Sequence, residues 1–228
     1  KGLTRLGMLI DLAYCIGCNA CTVACKQEQG TPPGVMYARV LVREFGKYPR
    51  VGKIFLPILC MHCENPPCMK VCPSGAITRT TDGIVLINEE ICSGAQACVT
   101  ACPYGAIFYP DKMHTYFDTP TPFEEYHMRR RRKFPTAMKC NLCIHRVRDG
   151  KDPACVVTCP TDCRIFGDWD DPDSKINKYL RERKPEAKPF PLRVEAGTSP
   201  KVMYLTDTYA VKRMREEVEL AADGGGAV

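Results

Sequence analysis

Sixteen cysteines in 228 residues, gathered into compact groups, constrain this chain more than any other feature. They fall as Cys15, Cys18, Cys21 and Cys25 in CIGCNACTVAC, and as Cys60, Cys63, Cys68 and Cys72 in CMHCENPPCMKVCP. The third group is Cys92, Cys98 and Cys102 in CSGAQACVTACP, and the fourth is Cys140, Cys143, Cys155 and Cys159 in CNLCIHRVRDGKDPACVVTCP. Cys163 stands outside all four. A disulfide framework is one use for so many thiols, but it generally staples chains too short to bury a core, and this chain is long enough. Iron–sulfur ligation is the other, because thiolates bind iron and a Cys-x2-Cys loop wraps closely around a cluster. A lone Cys-x2-Cys is as much a zinc knuckle or a redox dithiol; four groups, three of them closed by Cys-Pro, point to clusters.

An internal repeat supports this. CMKVCPSGAI (68–77) and CVTACPYGAI (98–107) match at both cysteines, the proline and the Gly-Ala-Ile tail, and CVVTCPTDCRIF (155–166) is a looser copy. Proline suits the turn, since its fixed φ ends the preceding helical turn and it needs no donor. The pattern predicts a strand over 7–13, a hairpin from 38–45 and 53–59, and a strand over 84–87. Short helices are expected at 19–28 and 95–101, with a further helix at 174–184 capped by Asp173 or Ser174. A strand over 202–205 and a helix near 208–221 follow, then a loose tail. The proline-rich stretch 185–200 cannot be helix and is expected to run over a partner or over the chain's own surface. Strand, cysteine loop, helix, Cys-Pro and strand, twice over, is the bacterial ferredoxin plan, an α+β fold.

Charge and composition narrow the function. The formal net charge is +6. Three oxidised four-iron clusters and one oxidised three-iron cluster, each about −2 with its thiolates, would bring the loaded protein to about −2. Basic residues then compensate cluster charge before they mark a nucleic-acid surface, and no nucleic-acid-binding signature accompanies the run Arg129 to Lys133. That run is expected to be solvated, to dock on an acidic partner, or to pair with the aspartates at 168–173. No stretch of 18 apolar residues is present, so no direct membrane span is expected; the start at Lys1 reads without an export signal, and the membrane face stays open. His62, His114, His127 and His145 form no nucleophile–base arrangement, and CIGCNAC lacks the strand–GxGxxG–helix context of a dinucleotide site. Substrate turnover by this chain alone is therefore not expected. His62 is expected to hydrogen-bond near a cluster and tune it. The two extra residues around Asn65-Pro66-Pro67 predict a bulged interface loop, and the eleven residues between Cys143 and Cys155 an exposed docking loop carrying Arg146, Arg148, Asp149 and Lys151.

LGMLIDLAYCIGCNACTVACKQEQ, CMHCENPPCMKVCPSGAI, the third group and CVVTCPTDCRIFGDWDDPDS together resemble the iron–sulfur subunit of molybdopterin-dependent oxidoreductases of the dimethyl sulfoxide reductase class, over about residues 6 to 206. The short chain is similar to the polysulfide, thiosulfate and arsenate reductase subunits. The resemblance implies a large catalytic subunit with a bis-pyranopterin molybdenum or tungsten centre, and a quinone, haem or membrane-anchor partner beyond. It also implies two crossed double-cluster modules. One, from 1–35 and 136–184, would bind clusters through Cys15/Cys18/Cys21/Cys159 and Cys140/Cys143/Cys155/Cys25, facing the catalytic subunit. The other, 50–110, would use Cys60/Cys63/Cys68/Cys102 and Cys92/Cys98/Cys72, toward the quinone or membrane side. A basic connector (111–135) and a partner-binding extension (185–228) complete the plan. Ala95 replaces the second cysteine of group three, and relatives with such a loss hold a three-iron cluster there, giving three [4Fe-4S] and one [3Fe-4S]; four [4Fe-4S] is the alternative. Cys163 is expected to be an unused buried thiol. A stand-alone polyferredoxin-type carrier, or a subunit of a formate dehydrogenase or hydrogenase complex, is the alternative role.

Overall fold

Every position from Gly7 to Asp11 of the first strand is buried, the mark of a strand covered on both faces. In the computed structural model, which describes residues 4–131, 133–183 and 185–206, that strand, β1 (Leu6–Asp11), is the centre of a three-stranded sheet. The expected helix at 208–221, the tail, Arg132 and Lys184 lie outside the described residues. After β1 come α1 (Ala20–Gln29), the hairpin β2 (Arg39–Lys47) and β3 (Arg50–Ile58), α2 (Pro67–Lys70), β4 (Ile77–Arg79) and β5 (Val85–Ile87). Next are α3 (Ala97–Ala101), β6 (Ile107–Phe108), α4 (Pro122–Arg130), β7 (Met138–Lys139), α5 (Ile144–Arg148) and α6 (Ala154–Val157). The chain continues through β8 (Arg164–Asp168), α7 (Lys175–Arg183), a 3-10 turn at Val194–Ala196 and β9 (Val202–Leu205). β8 pairs antiparallel and β9 parallel with β1.

Local chemistry accounts for these elements. In β3, Ile54, Leu56 and Ile58 alternate into the core, as a two-residue period requires. Cys21 and Cys25, one helical turn apart in α1, share its buried face, and Gly30 ends the helix in the left-handed region with its N–H on Lys26 O. Ser174 Oγ accepts Asn177 N–H at 3.4 Å and caps α7, whose Ile176 packs with Leu9, Ile165 and Leu205. The repeat is structural as well as sequential. Gly75 and Gly105 have φ of 64° and 54°, and their N–H groups return to Cys72 O and Cys102 O. In the third copy Asp162 holds the same place at φ 50°, with its N–H on Cys159 O.

The structure adds one element and changes two expectations. The connector contains a helix: Thr121 and Glu124 form a capping box, with Pro122 at the first helical position of α4. Among the described residues of the basic run, Arg129 meets Glu125 at 2.8 Å and Arg131 meets Glu89 at 3.4 Å, while Lys133 Nζ donates to Cys92 O. None reaches the aspartates at 168–173. Those bind their own turn and Arg5: Asp168 accepts the N–H of Arg5 and Asp170, and Asp170 pairs with Arg5 at 3.3 Å. Arg146, expected on an exposed loop, is instead folded inward onto Glu28 at 3.1 Å.

Candidate cluster-binding sites

Each cysteine loop contains residues forced into the left-handed region: Gly17 and Asn19, His62, Gly94 and Gln96, Leu142 and Cys143. Alternating right- and left-handed backbone turns successive N–H groups toward one side, which makes an anion-binding concavity. Some donors already reach sulfur, with Leu142 N–H on Cys140 Sγ at 3.4 Å and Ala106 N–H on Cys102 Sγ at 3.5 Å. All sixteen cysteines are free thiols.

The thiols gather across group boundaries. Cys15, Cys18 and Cys21 line one cavity with Cys159, Cys163 and Arg164. There Cys163 Sγ stands 3.5 Å from Cys159 Sγ, and a hydrogen bond from Cys163 to Cys15 pulls the Cys15 thiol below its ordinary value. Burial, then Cys155 and Cys143, push the Cys25 thiol far up; burial, then Cys25, do the same to Cys140. Burial raises Cys143 to about 11. Cys63 and Cys68 both rise to about 12, through burial and Cys60, with Cys102 adding to each. Cys98 is raised by burial, Cys72 and Cys92. Helix packing follows the same pattern: α1 lies on α6, and α2 on α3.

Buried thiols crowded on one another hold their protons unless a metal displaces them, so the donor sets fit iron–sulfur cores. Among the described residues no three donors stand close enough to share one ion, and thiols on different irons of one core are spaced more widely than ligands of a single ion. His62 supplies an independent sign. It is fully buried, its Nδ1 accepts Val85 N–H at 3.1 Å, and its Nε2 has no partner. Burial, then Lys139 and Lys201, hold its pKa well below the usual histidine value, leaving Nε2–H as an uncommitted donor inside the cysteine core. Ala95 is exposed between buried Cys92 and Cys98.

Helix α1 is fastened to group four by polar contacts. Glu28 Oε1 lies 2.6 Å from His145 Nε2, Gln29 accepts from Asn141 at 3.1 Å, and Gln29 Nε2 reaches Cys143 Sγ at 3.5 Å. A cavity of about 990 Å³ beside this seam is lined by α1, α4, α5 and α6 and contains no cysteine. Sequence reasoning missed two residues here, Arg164 and Lys139, both buried among the thiols. A signal existed for Arg164: it stands where the other two copies of the repeat have Ile77 and Ile107.

Family models described as a 4Fe-4S dicluster domain match residues 51–121 and 119–169, and a second 4Fe-4S dicluster model matches 14–76. The chain is 37% identical over 230 residues to the arsenate respiratory reductase iron–sulfur subunit ArrB of Shewanella sp. ANA-3, covering 88% of this chain and 96% of that one. It is 42% identical to a subunit of the selenate reductase of Mesobacillus selenatarsenatis, covering 87% and 71% of the two proteins. It is 39% identical to a subunit of the polysulfide reductase of Wolinella succinogenes, covering 87% and 92%. The protein belongs to the iron–sulfur subunits of the dimethyl sulfoxide reductase class. Members of this family transfer electrons, and that is the function of this chain. Its two dicluster ferredoxin-type domains account for the cysteine usage, and no helix among the described residues is long and apolar enough to cross a membrane.

Proposed function

We propose that this subunit relays electrons through three [4Fe-4S] clusters and one [3Fe-4S] cluster, between a molybdenum or tungsten bis-pyranopterin catalytic subunit and a quinone-reactive, haem or membrane-anchor partner. When bound, the clusters supply one-electron carriers whose potentials the surrounding charge and hydrogen bonds tune. Cys15, Cys18, Cys21 and Cys159 hold one; Cys25, Cys140, Cys143 and Cys155 the second; Cys60, Cys63, Cys68 and Cys102 the third. Cys72, Cys92 and Cys98 hold the three-iron cluster beside Ala95. The observation that carries this pairing is that Cys159 lines the cavity of Cys15, Cys18 and Cys21 rather than standing with its own group.

Segments 1–35 and 136–184 then form one module, 50–110 the other, with 111–135 connecting them and 185–228 binding a partner. Tyr14 and Ile16, 45% and 57% exposed beside the exposed Cys18, give the first module an apolar face for the catalytic subunit. Association with a membrane would come through a partner. The relatives' names, which include arsenate and polysulfide reductase subunits, support a reductase of this kind as the assembly. Purifying the native complex and identifying the copurifying large subunit and its metal tests the reading. A molybdopterin-containing partner is the expected result; a lone chain acting as a free carrier would overturn it.

A further inference from the structure

Among the described residues three lysine and arginine side chains are buried: Lys139, Arg164 and Lys201. Lys201 is neutralised in the usual way, with its Nζ 3.2 Å from Glu64 Oε2. Neither of the others meets a carboxylate among the described residues. Arg164 Nη2 donates to Cys21 Sγ at 3.3 Å, and Nη1 reaches Met8 Sδ at 3.7 Å. Arg164 also lines the cavity of Cys15, and its strand β8 packs on α6, which carries Cys155 and lies against the helix of Cys25. Cys15 and Cys21 belong to one proposed set, Cys25 and Cys155 to the next, so Arg164 stands at their junction. Lys139 repeats the arrangement one junction further on. Its Nζ donates to Cys140 O at 2.9 Å and to Val85 O, and Val85 belongs to the packed apolar cluster that holds Cys68 of the following set.

Burying a cation without a counter-ion is strongly unfavourable, so each needs negative charge nearby. Metal-bound thiolate sets supply it: each loaded set carries about −2, and one more charge on reduction. Isoleucine would satisfy the core at position 164, as Ile77 and Ile107 do in the other copies. An arginine there serves the sulfurs.

We propose that Arg164 and Lys139 are fixed counter-charges, each shared by two successive clusters, which raise the reduction potentials of the three four-iron clusters together. A positive charge favours the reduced form of every cluster it faces, and a shared one moves both neighbours without opening a step between them. The inference rests on the proposed pairing.

The test is a redox titration of the native complex, followed by electron paramagnetic resonance, with Arg164→Met and Lys139→Met beside the wild type. Arg164→Met should lower the reduction equilibrium constants of the Cys15 and Cys25 sets about tenfold, a shift of about 59 mV for one electron. The Cys60 and Cys72 sets should stay in place. Lys139→Met should move the Cys25 and Cys60 sets and spare the Cys15 set. Arg164→Lys and Lys139→Arg should restore most of each shift. Where a methionine variant loses iron, retention of that iron in the charge-conserving variant supports the proposal, and equal loss in both overturns it. Unmoved potentials, or one uniform shift of all four, also overturn it. Iron in the wild type separates the two failures: a count far from about 15 per chain, after the partner subunits' own iron is subtracted, sinks the cluster reading, whereas full iron with unmoved potentials sinks only the counter-charges.

Discussion

Replacing Glu28 with glutamine tests whether groups one and four are held together as one module. Glu28 projects from the last turn of α1, which carries Cys21 and Cys25, and grips α5 just after Cys143. The carboxylate receives His145 at 2.6 Å and Arg146 at 3.1 Å, with 22% of its side chain exposed. Charge-assisted hydrogen bonds contribute about 1.5–3 kcal/mol each when well buried. His145 is 46% exposed, so solvent screening discounts its share, and the pair together is worth about 1–2 kcal/mol. Glutamine keeps the shape and can keep one weaker hydrogen bond but not the charge. Release of iron from the Cys25/Cys140/Cys143/Cys155 set should therefore quicken by about fivefold to thirtyfold at pH 7, since 1.4 kcal/mol is a factor of ten. Burial opposes ionisation of Glu28, but His145 and Arg146 hold its pKa below the ordinary value of 4.5. A depressed carboxylate stabilises fully above its unfolded-state pKa and loses that effect as pH falls through the folded-state value. The wild-type advantage should thus be complete at pH 7, shrink below pH 4.5 and vanish once Glu28 is protonated. Iron release to a chelator, followed by visible absorbance across pH, measures both effects. Equal release rates at pH 7, or a wild-type advantage that grows on acidification, would refute the reasoning.

Other perturbations probe the remaining seams. Cys163 lies 3.5 Å from Cys159 in the same cavity, so the pairing is read in the Cys159→Ala/Cys163→Ala double variant, in which neither thiol can stand in for the other. That protein should lose iron from the Cys15/Cys18/Cys21 set, about one atom where a three-iron core survives and about four where it does not, with the spectra of the Cys25 set intact; loss confined to the Cys25 set would show the pairing to be wrong. Ala95→Cys should add about one iron per chain and replace the oxidised-state paramagnetic signal with a lower-potential four-iron couple, while an unchanged iron count and signal would contradict a three-iron site. Phe190, 7% exposed and 6.2 Å centroid to centroid from Tyr204, fixes the proline-rich segment to the core. Phe190→Ala should cost about 3–5 kcal/mol and expose 185–205 to proteolysis, and Phe190→Leu much less; an alanine variant as resistant as wild type would show that the segment is held elsewhere.

Much of the site was legible because it is written in short-range chemistry. Cys-Pro-x-Gly-Ala-Ile specifies a turn, a left-handed residue and a buried strand start within six positions, and Gly75 and Gly105 adopt that conformation. The hairpin read from 38–45 and 53–59 likewise appears as β2 and β3. What escaped was long-range or overridden. The Thr121–Glu124 capping box was present in the sequence, but its signal was masked by the surrounding prolines and the charge run. The polar seam from Glu28 and Gln29 to group four joins residues more than a hundred positions apart, so no local pattern announces it. The segment 185–200, expected to run over a partner or over the chain's own surface, takes the second course over its last residues. Glu64 and Asn65 donate their N–H groups to Ser199 O and Thr198 O, and Tyr104 Oη meets Thr198 Oγ1 at 2.6 Å, partners that no local pattern names. Thus the Asn65-Pro66-Pro67 bulge, expected to shape an interface, packs at its start on the chain's own C-terminal segment. Charges inside apolar strands were missed because periodicity treats Arg164 and Lys139 as exceptions, when the exception was the information.

Controlled-potential coulometry of the anaerobically purified native complex, with iron counted on the same sample, tests the central claim most directly. Four clusters predict about four electrons and about 15 irons per chain, beyond those belonging to the partner subunits' own centres. A protein that binds zinc and takes up no electrons, or one that accepts two electrons without iron as a dithiol would, contradicts the account.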